Sequence, residues 1–135
     1  MRLIIDMQGT QTASRFRGIG RYTMGLAEAL VRNRGEHEVL LALNGMLSES
    51  IDAIREAFTN LLPKENIRVW YTPTPIAYSN PKSAENRSIA LEIYSAFLLS
   101  LNPDVVLTAS MMEGWDDDYL CDFSKFKGRA LLSAI

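Results

Sequence analysis

Five short apolar runs, separated by stretches with helical periodicity, restrict the folds open to this chain more than any other feature. The runs cover residues 3–6, 38–43, 67–72, 105–109 and 130–135. Each run is almost continuously apolar rather than alternating, which is typical of strands buried on both faces of a parallel sheet. Helical patterns fill residues 20–33, 48–62, 84–101 and, more briefly, 116–121. The first helix carries one apolar face formed by Tyr22, Leu26, Ala29 and Leu30.

Strands that alternate with helices of this length predict a doubly wound α/β domain, with a mainly parallel five-stranded sheet and helices on both faces. The length of 135 residues suits one such domain. Ligands of these sheets bind at the carboxyl ends of the strands, near the point where the strand order reverses. A functional site is therefore expected in the loops after the first and fourth strands. Residues 72–82 (the proline loop) contain three prolines and are expected to form an extended surface loop.

The loop that leads from the first strand into the first helix, residues 7–21 (the glycine loop), carries groups that suit an anionic ligand. Gly18 and Gly20 let the backbone approach a ligand closely, and a helix start offers free N–H groups. Cationic donors that match phosphate or carboxylate come from Arg15, Arg17 and Arg21. The alternative is that the two glycines only shape a turn and that the arginines are solvated.

This glycine pattern differs from the fingerprint of dinucleotide-binding proteins, in which Gly-x-Gly-x-x-Gly directly follows the strand. Eleven residues separate Asp6 from Gly18, and Thr23 occupies the third glycine position. A nicotinamide-dependent oxidoreductase is therefore a weak alternative.

Residues 110–118 (the acidic loop) follow the fourth strand and are predicted to lie at the same sheet edge as the glycine loop. Glu113 is suited to accept hydrogen bonds from sugar hydroxyls, and Trp115 is suited to pack on a sugar face. Three consecutive aspartates follow: Asp116, Asp117 and Asp118. Adjacent aspartates do not converge on one ion without spaced partners, so we expect them to begin a helix rather than to bind a metal.

Composition argues against several other classes of function. A net charge of −2 gives no overall basic field for nucleic acid. The apolar runs are far shorter than the roughly 20 residues of a membrane-spanning helix, and the amino terminus is typical of a strand rather than a signal peptide. We therefore predict a cytoplasmic protein, with peripheral contact at the inner face of the membrane left open.

The remaining chemically distinctive side chains are expected to be structural. His37, the single histidine, is predicted in a surface loop at the opposite sheet edge, and Cys121, the single cysteine, has no evident base partner. The aromatic residues expected in the core are Trp70, Tyr71, Tyr94 and Phe97.

Two stretches resemble one enzyme family. The opening Leu3–Gly9, followed by Arg17-Gly18-Ile19-Gly20-Arg21-Tyr22-Thr23, resembles the amino-terminal region of retaining GT-B glycosyltransferases of the family-four type. Within that group it is most similar to bacterial mannosyltransferases of polysaccharide assembly. Asp104–Leu107 with the later Glu113-Gly114 is similar to the stretch that precedes the acidic helix start of the family.

The resemblance implies that residues 1–135 form a Rossmann-like, acceptor-side, amino-terminal domain that faces a carboxyl-terminal donor domain across a cleft. It implies a sugar nucleotide as donor, with GDP-mannose as the candidate, and a growing polysaccharide or glycolipid as acceptor. It implies no obligatory metal and no covalently bound cofactor. The candidate substrate- or phosphate-binding residues are Arg17, Gly18, Gly20, Arg21, Glu113 and Gly114, and no catalytic residue is assigned.

The chain also departs from the family pattern. It contains neither the second domain nor its pair of glutamates, and it ends before the His-Asp that often follows the next strand in relatives. We therefore expect a fragment that lacks transferase activity alone. The main alternative is a stand-alone α/β module that binds a nucleotide or a sugar without catalysis.

Overall fold

The structure, a computed structural model, describes residues 1–126 and the backbone of residues 130–133. Its strands are β1 (Arg2–Asp6), β2 (Glu38–Asn44), β3 (Ile67–Trp70), β4 (Val105–Thr108) and β5 (Ala130–Ser133). Its α-helices are α1 (Gly18–Arg32), α2 (Ile51–Phe58) and α3 (Ala84–Ser100). Short 3₁₀ turns occupy parts of the connections, including Gln8–Thr10 and Ala13–Phe16. None of the described helices is long and apolar enough to cross a bilayer.

The strands lie side by side in the order β3-β2-β1-β4-β5, and each neighbouring pair is parallel. The predicted α/β architecture with a parallel sheet is therefore confirmed. Asp6 at the end of β1 lies opposite Ala42 of β2 and Thr108 of β4. The loops after β1, β2 and β4 consequently leave the sheet at one edge. The strand order reverses at β1, so the glycine loop and the acidic loop flank the switch point.

Alternate strand residues build two apolar layers, one on each face of the sheet. Ile5 and Leu41 pack with side chains of α1 and α2 on one face. Ile4 and Leu40 pack with side chains of α3 on the other. Because both faces are covered, the strands are apolar at almost every position, which explains the pattern seen in the sequence.

The helix predicted over residues 116–121 is wrong. Residues 116–118 form bends, residues 119–121 have no regular secondary structure, and tertiary hydrogen bonds hold the segment. The Oδ1 atom of Asp118 accepts from the amide of Ile76 at 2.8 Å, and the Asp118 carbonyl accepts from Nδ2 of Asn44 at 3.1 Å. These contacts outweigh the weak local preference for a helix.

The predicted apolar face of α1 is confirmed in part. Leu26 and Leu30 are partly buried and pack against the core, whereas Tyr22 and Ala29 are exposed. The fully buried positions of the helix include Thr23, Ala27 and Val31, which the sequence did not single out.

The aromatic core is confirmed in part. Trp70 and Tyr94 are buried and contact each other edge to face, with ring centroids 5.1 Å apart. Phe97 is partly buried against the same apolar layer. Tyr71 is exposed, because it lies beyond the end of β3, with its ring over Gly45.

Candidate functional site at the carboxyl edge of the sheet

The glycine loop and the acidic loop meet at the carboxyl edge of the sheet, as predicted. The Ser14 hydroxyl donates to Oε2 of Glu113 at 3.3 Å. A cavity of about 280 Å³ (the rim cavity) lies between the two loops, with Arg17 on one wall and Glu113, Gly114 and Trp115 on the other. Two loops that are about 100 residues apart in the sequence thus form one concave surface.

The predicted site residues divide into two groups. Arg17, Glu113 and Gly114 line the rim cavity. Gly18, Gly20 and Arg21 belong to the first turn of α1 and are not among the lining residues of this cavity. The structure therefore brings three of the predicted residues together around the rim cavity and places the other three in the helix turn that follows Arg17.

Close packing within the protein is enough to explain why glycine occupies positions 20 and 114, whether or not a ligand binds there. A Cβ atom on Gly20 would lie 2.4 Å from the backbone of Arg15, so the turn Ala13–Phe16 packs directly on α1. Gly114 has a φ angle of +104°, in the region that favours glycine, and a Cβ atom there would lie 2.8 Å from the carbonyl oxygen of Tyr119. Gly18, in contrast, faces open space.

A buried polar cluster that sequence reasoning missed lies at the base of the site. Asp6 is only 1% exposed, and its Oδ2 atom accepts from the hydroxyl of Tyr94 at 2.7 Å and from Nε2 of Gln8 at 2.9 Å. Its Oδ1 atom accepts from the Gln8 amide at 3.0 Å. Burial raises the pKa of Asp6 to about 6, although these hydrogen bonds act in the opposite direction.

Gln8 connects this cluster to the segment that follows the acidic loop. Its Nε2 atom donates to the carbonyl of Leu120 at 2.8 Å, and its Oε1 atom accepts from the Leu120 amide at 3.0 Å. The sequence does carry a signal for the cluster. Asp6 and Asn44 are polar residues that end adjacent apolar runs, and such residues meet at the carboxyl edge of a parallel sheet.

The proline loop holds the acidic loop from the other side. The amides of Tyr78 and Ser79 donate to the carbonyls of Gly114 and Trp115 at 3.0 and 2.7 Å. The backbone of the acidic loop is therefore fixed, while the side chain of Trp115 remains 68% exposed. The exposed aromatic ring is consequently presented to solvent from an ordered backbone.

A second cavity, of about 510 Å³, lies between the glycine loop and residues 46–49 that follow β2 (the β2 cavity). Nη2 of Arg15 forms an ion pair with Oε2 of Glu49 at 3.0 Å on its wall. Ala13 and Asp117 line both this cavity and the rim cavity. Partial burial raises the pKa of Asp117, and the nearby charge of Glu113 raises it further.

Sequence reasoning named Arg15, on this wall, as a cationic donor, but it predicted no cavity beside residues 46–49. The usable signal was topological, because the connection after β2 leaves the sheet at the same edge as the glycine loop.

The single histidine and the single cysteine lie outside the two cavities. His37 is exposed at the amino edge, where its Nδ1 atom lies 3.2 Å from the amino group of Met1. Burial, followed by the charges of Asp6 and Asp122, raises the pKa of Cys121 to about 12, so its thiol is a poor nucleophile at neutral pH. Within the described residues, no three His, Cys, Asp or Glu side chains are placed to hold a metal ion.

The curated proteins that this chain matches include three called serotype-specific mannosyltransferase WbdA, all from Escherichia coli. The identities are 32% over 120 residues, 30% over 95 and 27% over 95, which cover 88%, 70% and 70% of this chain. The matches span only 14%, 12% and 12% of the lengths of those relatives. No family model and no solved structure matches the chain. Over most of its length, the chain is therefore similar to a small part of a mannosyltransferase.

Proposed function

We propose that this chain forms the acceptor-side, Rossmann-like domain of a retaining GT-B glycosyltransferase of the family-four type. The enzyme would transfer mannose from a sugar nucleotide, GDP-mannose being the candidate, to a growing polysaccharide or glycolipid in the cytoplasm. The observation that carries the proposal is the meeting of the two loops of the family-like motif, Arg17 with Glu113 and Gly114, around one cavity at the switch point. The similarity to mannosyltransferases over 88% of the chain supports the same reaction class.

In this proposal, a carboxyl-terminal domain holds most of the sugar nucleotide, and the rim cavity receives the acceptor. Glu113 accepts hydrogen bonds from acceptor hydroxyls. The guanidinium of Arg17, next to the first turn of α1, stabilises the negative charge that develops on the departing diphosphate. Such stabilisation by fixed charges and helix-end N–H groups requires no metal ion.

The test is a kinetic comparison in the protein that carries this domain, with GDP-mannose and a mannose-containing acceptor. Arg17→Gln and Glu113→Gln each remove one charged hydrogen-bonding group from the rim cavity. We expect each to lower kcat/KM roughly tenfold to hundredfold, because hydrogen bonds to charged groups have about that effect.

Arg32→Gln is the matched control, because Arg32 is an exposed arginine at the far end of the same helix. It should retain the wild-type kcat/KM. Wild-type kinetics in both rim variants would contradict the proposal. Acceptor binding without any transfer would instead favour the alternative of a sugar-binding module without catalysis.

A further inference from the structure

A separate cavity, of about 470 Å³ (the α2 cavity), lies away from the candidate site. Its walls come only from α2, from the segment that joins α2 to β3, and from Ile67, the first residue of β3. Because β3 stands first in the strand order, no strand of the described chain lies on its outer side. The α2 cavity therefore lies at the margin of the domain, beside a free edge of the sheet and near the amino end of β3.

The α2 cavity combines an apolar floor with a cationic rim. Its buried lining residues are Phe58, Leu62 and Ile67, and its exposed cations are Arg55 and Lys64. No carboxylate is among the lining residues. In the described part of the chain, neither cation has an ion-pair or hydrogen-bond partner for its side chain. The cavity therefore favours a ligand in which negative charge stands next to an apolar group.

The outer edge of β3 offers backbone groups that can pair with another strand. The amide of Gly45 donates to the carbonyl of Trp70 at 2.7 Å, so Trp70 directs its backbone groups toward β2. Successive residues of a strand direct these groups to opposite sides, so those of Val69 point away from the sheet. An extended peptide adds to such an edge through main-chain hydrogen bonds, while its side chains enter adjacent pockets.

Two other occupants fit this surface less well. A bilayer takes up apolar side chains that project from a protein, whereas Phe58, Leu62 and Ile67 are buried beneath the rim. A second copy of this chain, paired antiparallel through β3, would bring the exposed Arg68 of both copies close together. Like charges in such positions destabilise a strand pair. Charge and shape together therefore favour an acidic peptide.

We propose that the outer edge of β3 and the α2 cavity (together, the β3 margin) dock an extended acidic peptide segment of a partner protein. The segment adds as a strand beside β3 and places one large apolar side chain in the α2 cavity. Its carboxylates lie against Arg55 and Lys64. This interaction surface is separate from the candidate site and does not depend on the proposed function.

The first experiment follows the fluorescence anisotropy of the labelled peptide Glu-Glu-Val-Leu-Val-Glu-Glu during titration with the protein that carries this domain. We expect saturable binding. The counterpart Lys-Lys-Val-Leu-Val-Lys-Lys should bind at least about tenfold more weakly, because its charges match those of the rim. Methylation of two successive backbone amides of the acidic peptide, one of which must face β3, should also weaken binding about tenfold.

The second experiment exchanges the charges of the rim. Arg55→Glu and Lys64→Glu should each weaken binding of the acidic peptide about threefold to tenfold. The combined variant should bind the lysine peptide more tightly than the acidic one, and a loss of folding cannot produce that reversal. Arg32→Glu is the matched control, because Arg32 is an exposed arginine of α1 that does not line the α2 cavity. It should bind the acidic peptide as wild type does.

Absence of peptide binding, equal affinity for the two peptides, no effect of amide methylation, or no reversal in the combined variant would each overturn this inference. Two further assays test the other occupants. Binding to phosphatidylcholine vesicles that contain phosphatidylserine, or self-association in sedimentation, would overturn it if Lys64→Glu abolished that interaction and left peptide binding unchanged. The β3 margin would then serve a membrane or a second copy instead.

Discussion

At Gly20, the backbone of the glycine loop packs directly on the first turn of α1. The nearest atoms to a Cβ added there are the Cα, carbonyl carbon and carbonyl oxygen of Arg15, at 2.4–2.5 Å. These are backbone atoms, which cannot rotate away as a flexible side chain can. Any larger residue must therefore push the turn Ala13–Phe16, and with it the wall of both cavities, away from the helix.

We predict that Gly20→Ala lowers the free energy of unfolding by about 1–3 kcal/mol, because overpacking outweighs the better helix propensity of alanine. Gly25→Ala is the matched control on the same helix, where a Cβ atom would meet nothing within 4 Å. It should raise the free energy of unfolding by about 0.5–1 kcal/mol. Urea denaturation measures both. A Gly20→Ala protein as stable as Gly25→Ala would show that the close approach is not made.

The sequence places Gly18 and Gly20 where the glycine loop enters α1 but does not assign their roles. Close approach to a ligand and close approach to the chain itself require the same residue type. The distinction depends on how the 3₁₀ turn at Ala13–Phe16 folds back, and that geometry has no simple sequence signature. The same limit applies to Gly114, whose positive φ angle and contact with Tyr119 appear only in three dimensions.

At the scale of elements, the acidic loop is ordered by its neighbours rather than by its own secondary structure. It bonds to the proline loop through Gly114 and Trp115, to the glycine loop through Glu113, and to the end of β2 through the carbonyl of Asp118. Directly beyond the loop, Leu120 is bonded twice to Gln8. A network of this kind positions exposed groups such as Trp115 without a helix or a strand beneath them.

We predict that Gln8→Met frees the segment after the acidic loop while the rest of the domain remains folded. The change leaves the amide and carbonyl of Leu120 without their side-chain partner. Amide hydrogen exchange at Leu120 should accelerate roughly tenfold to hundredfold, since an unsatisfied buried group costs about 1–3 kcal/mol. Exchange in α2, which lies away from Gln8, should be unchanged.

Asn33→Ala provides the control, because it removes an amide that bonds to the carbonyl of Ala29 at the other end of α1. Exchange at Leu120 should keep its wild-type rate in that variant. If Gln8→Met accelerates exchange in α2 as much as at Leu120, then Gln8 supports global stability rather than the local position of the loop.

The strands could be predicted from the sequence and the conformation of residues 116–121 could not, for a physical reason. The strands were predictable because a strand that is covered on both faces must be apolar at consecutive positions. Ile4 and Ile5, which face opposite sides of the sheet and are both buried, show this pattern. Residues 116–121 were misassigned because their conformation depends on partners such as Ile76 and Asn44, which are 42 and 74 residues away from Asp118. Local patterns carry no information about such partners.

At the scale of the whole molecule, Asp6 is a carboxylate buried where the sheet, α3 and the loops of the site meet. It lies between β2 and β4 in register, and the hydroxyl of Tyr94 reaches it from α3. Burial of the charged form opposes folding, and the hydrogen bonds from Tyr94 and Gln8 offset part of that cost. The stability of the whole domain is therefore linked to the protonation of one group beneath the candidate site.

The direction of this linkage follows from the pKa values. Burial in the folded state raises the pKa of Asp6 from 3.8, its ordinary value, to about 6. Between about pH 3.8 and about pH 6 the folded state binds more protons than the unfolded state, so the free energy of unfolding falls as the pH rises. The difference between the two pKa values corresponds to roughly 3 kcal/mol of stability, which is present below this interval and lost above it.

We predict that Asp6→Asn removes this component of the pH dependence. Relative to wild type, the variant should gain roughly 3 kcal/mol in the free energy of unfolding between pH 4 and pH 7, because asparagine carries no charge to be buried. Urea titrations at several pH values across that range would measure the difference. Asp52→Asn, at an exposed position of α2, should show the same pH dependence of the free energy of unfolding as wild type.

A difference in the free energy of unfolding between wild type and Asp6→Asn that stays constant with pH would show that Asp6 does not titrate in this interval. The pH dependence of the fold would then have to come from other groups, of which the partly buried Asp117, whose pKa is also raised, is the next to test.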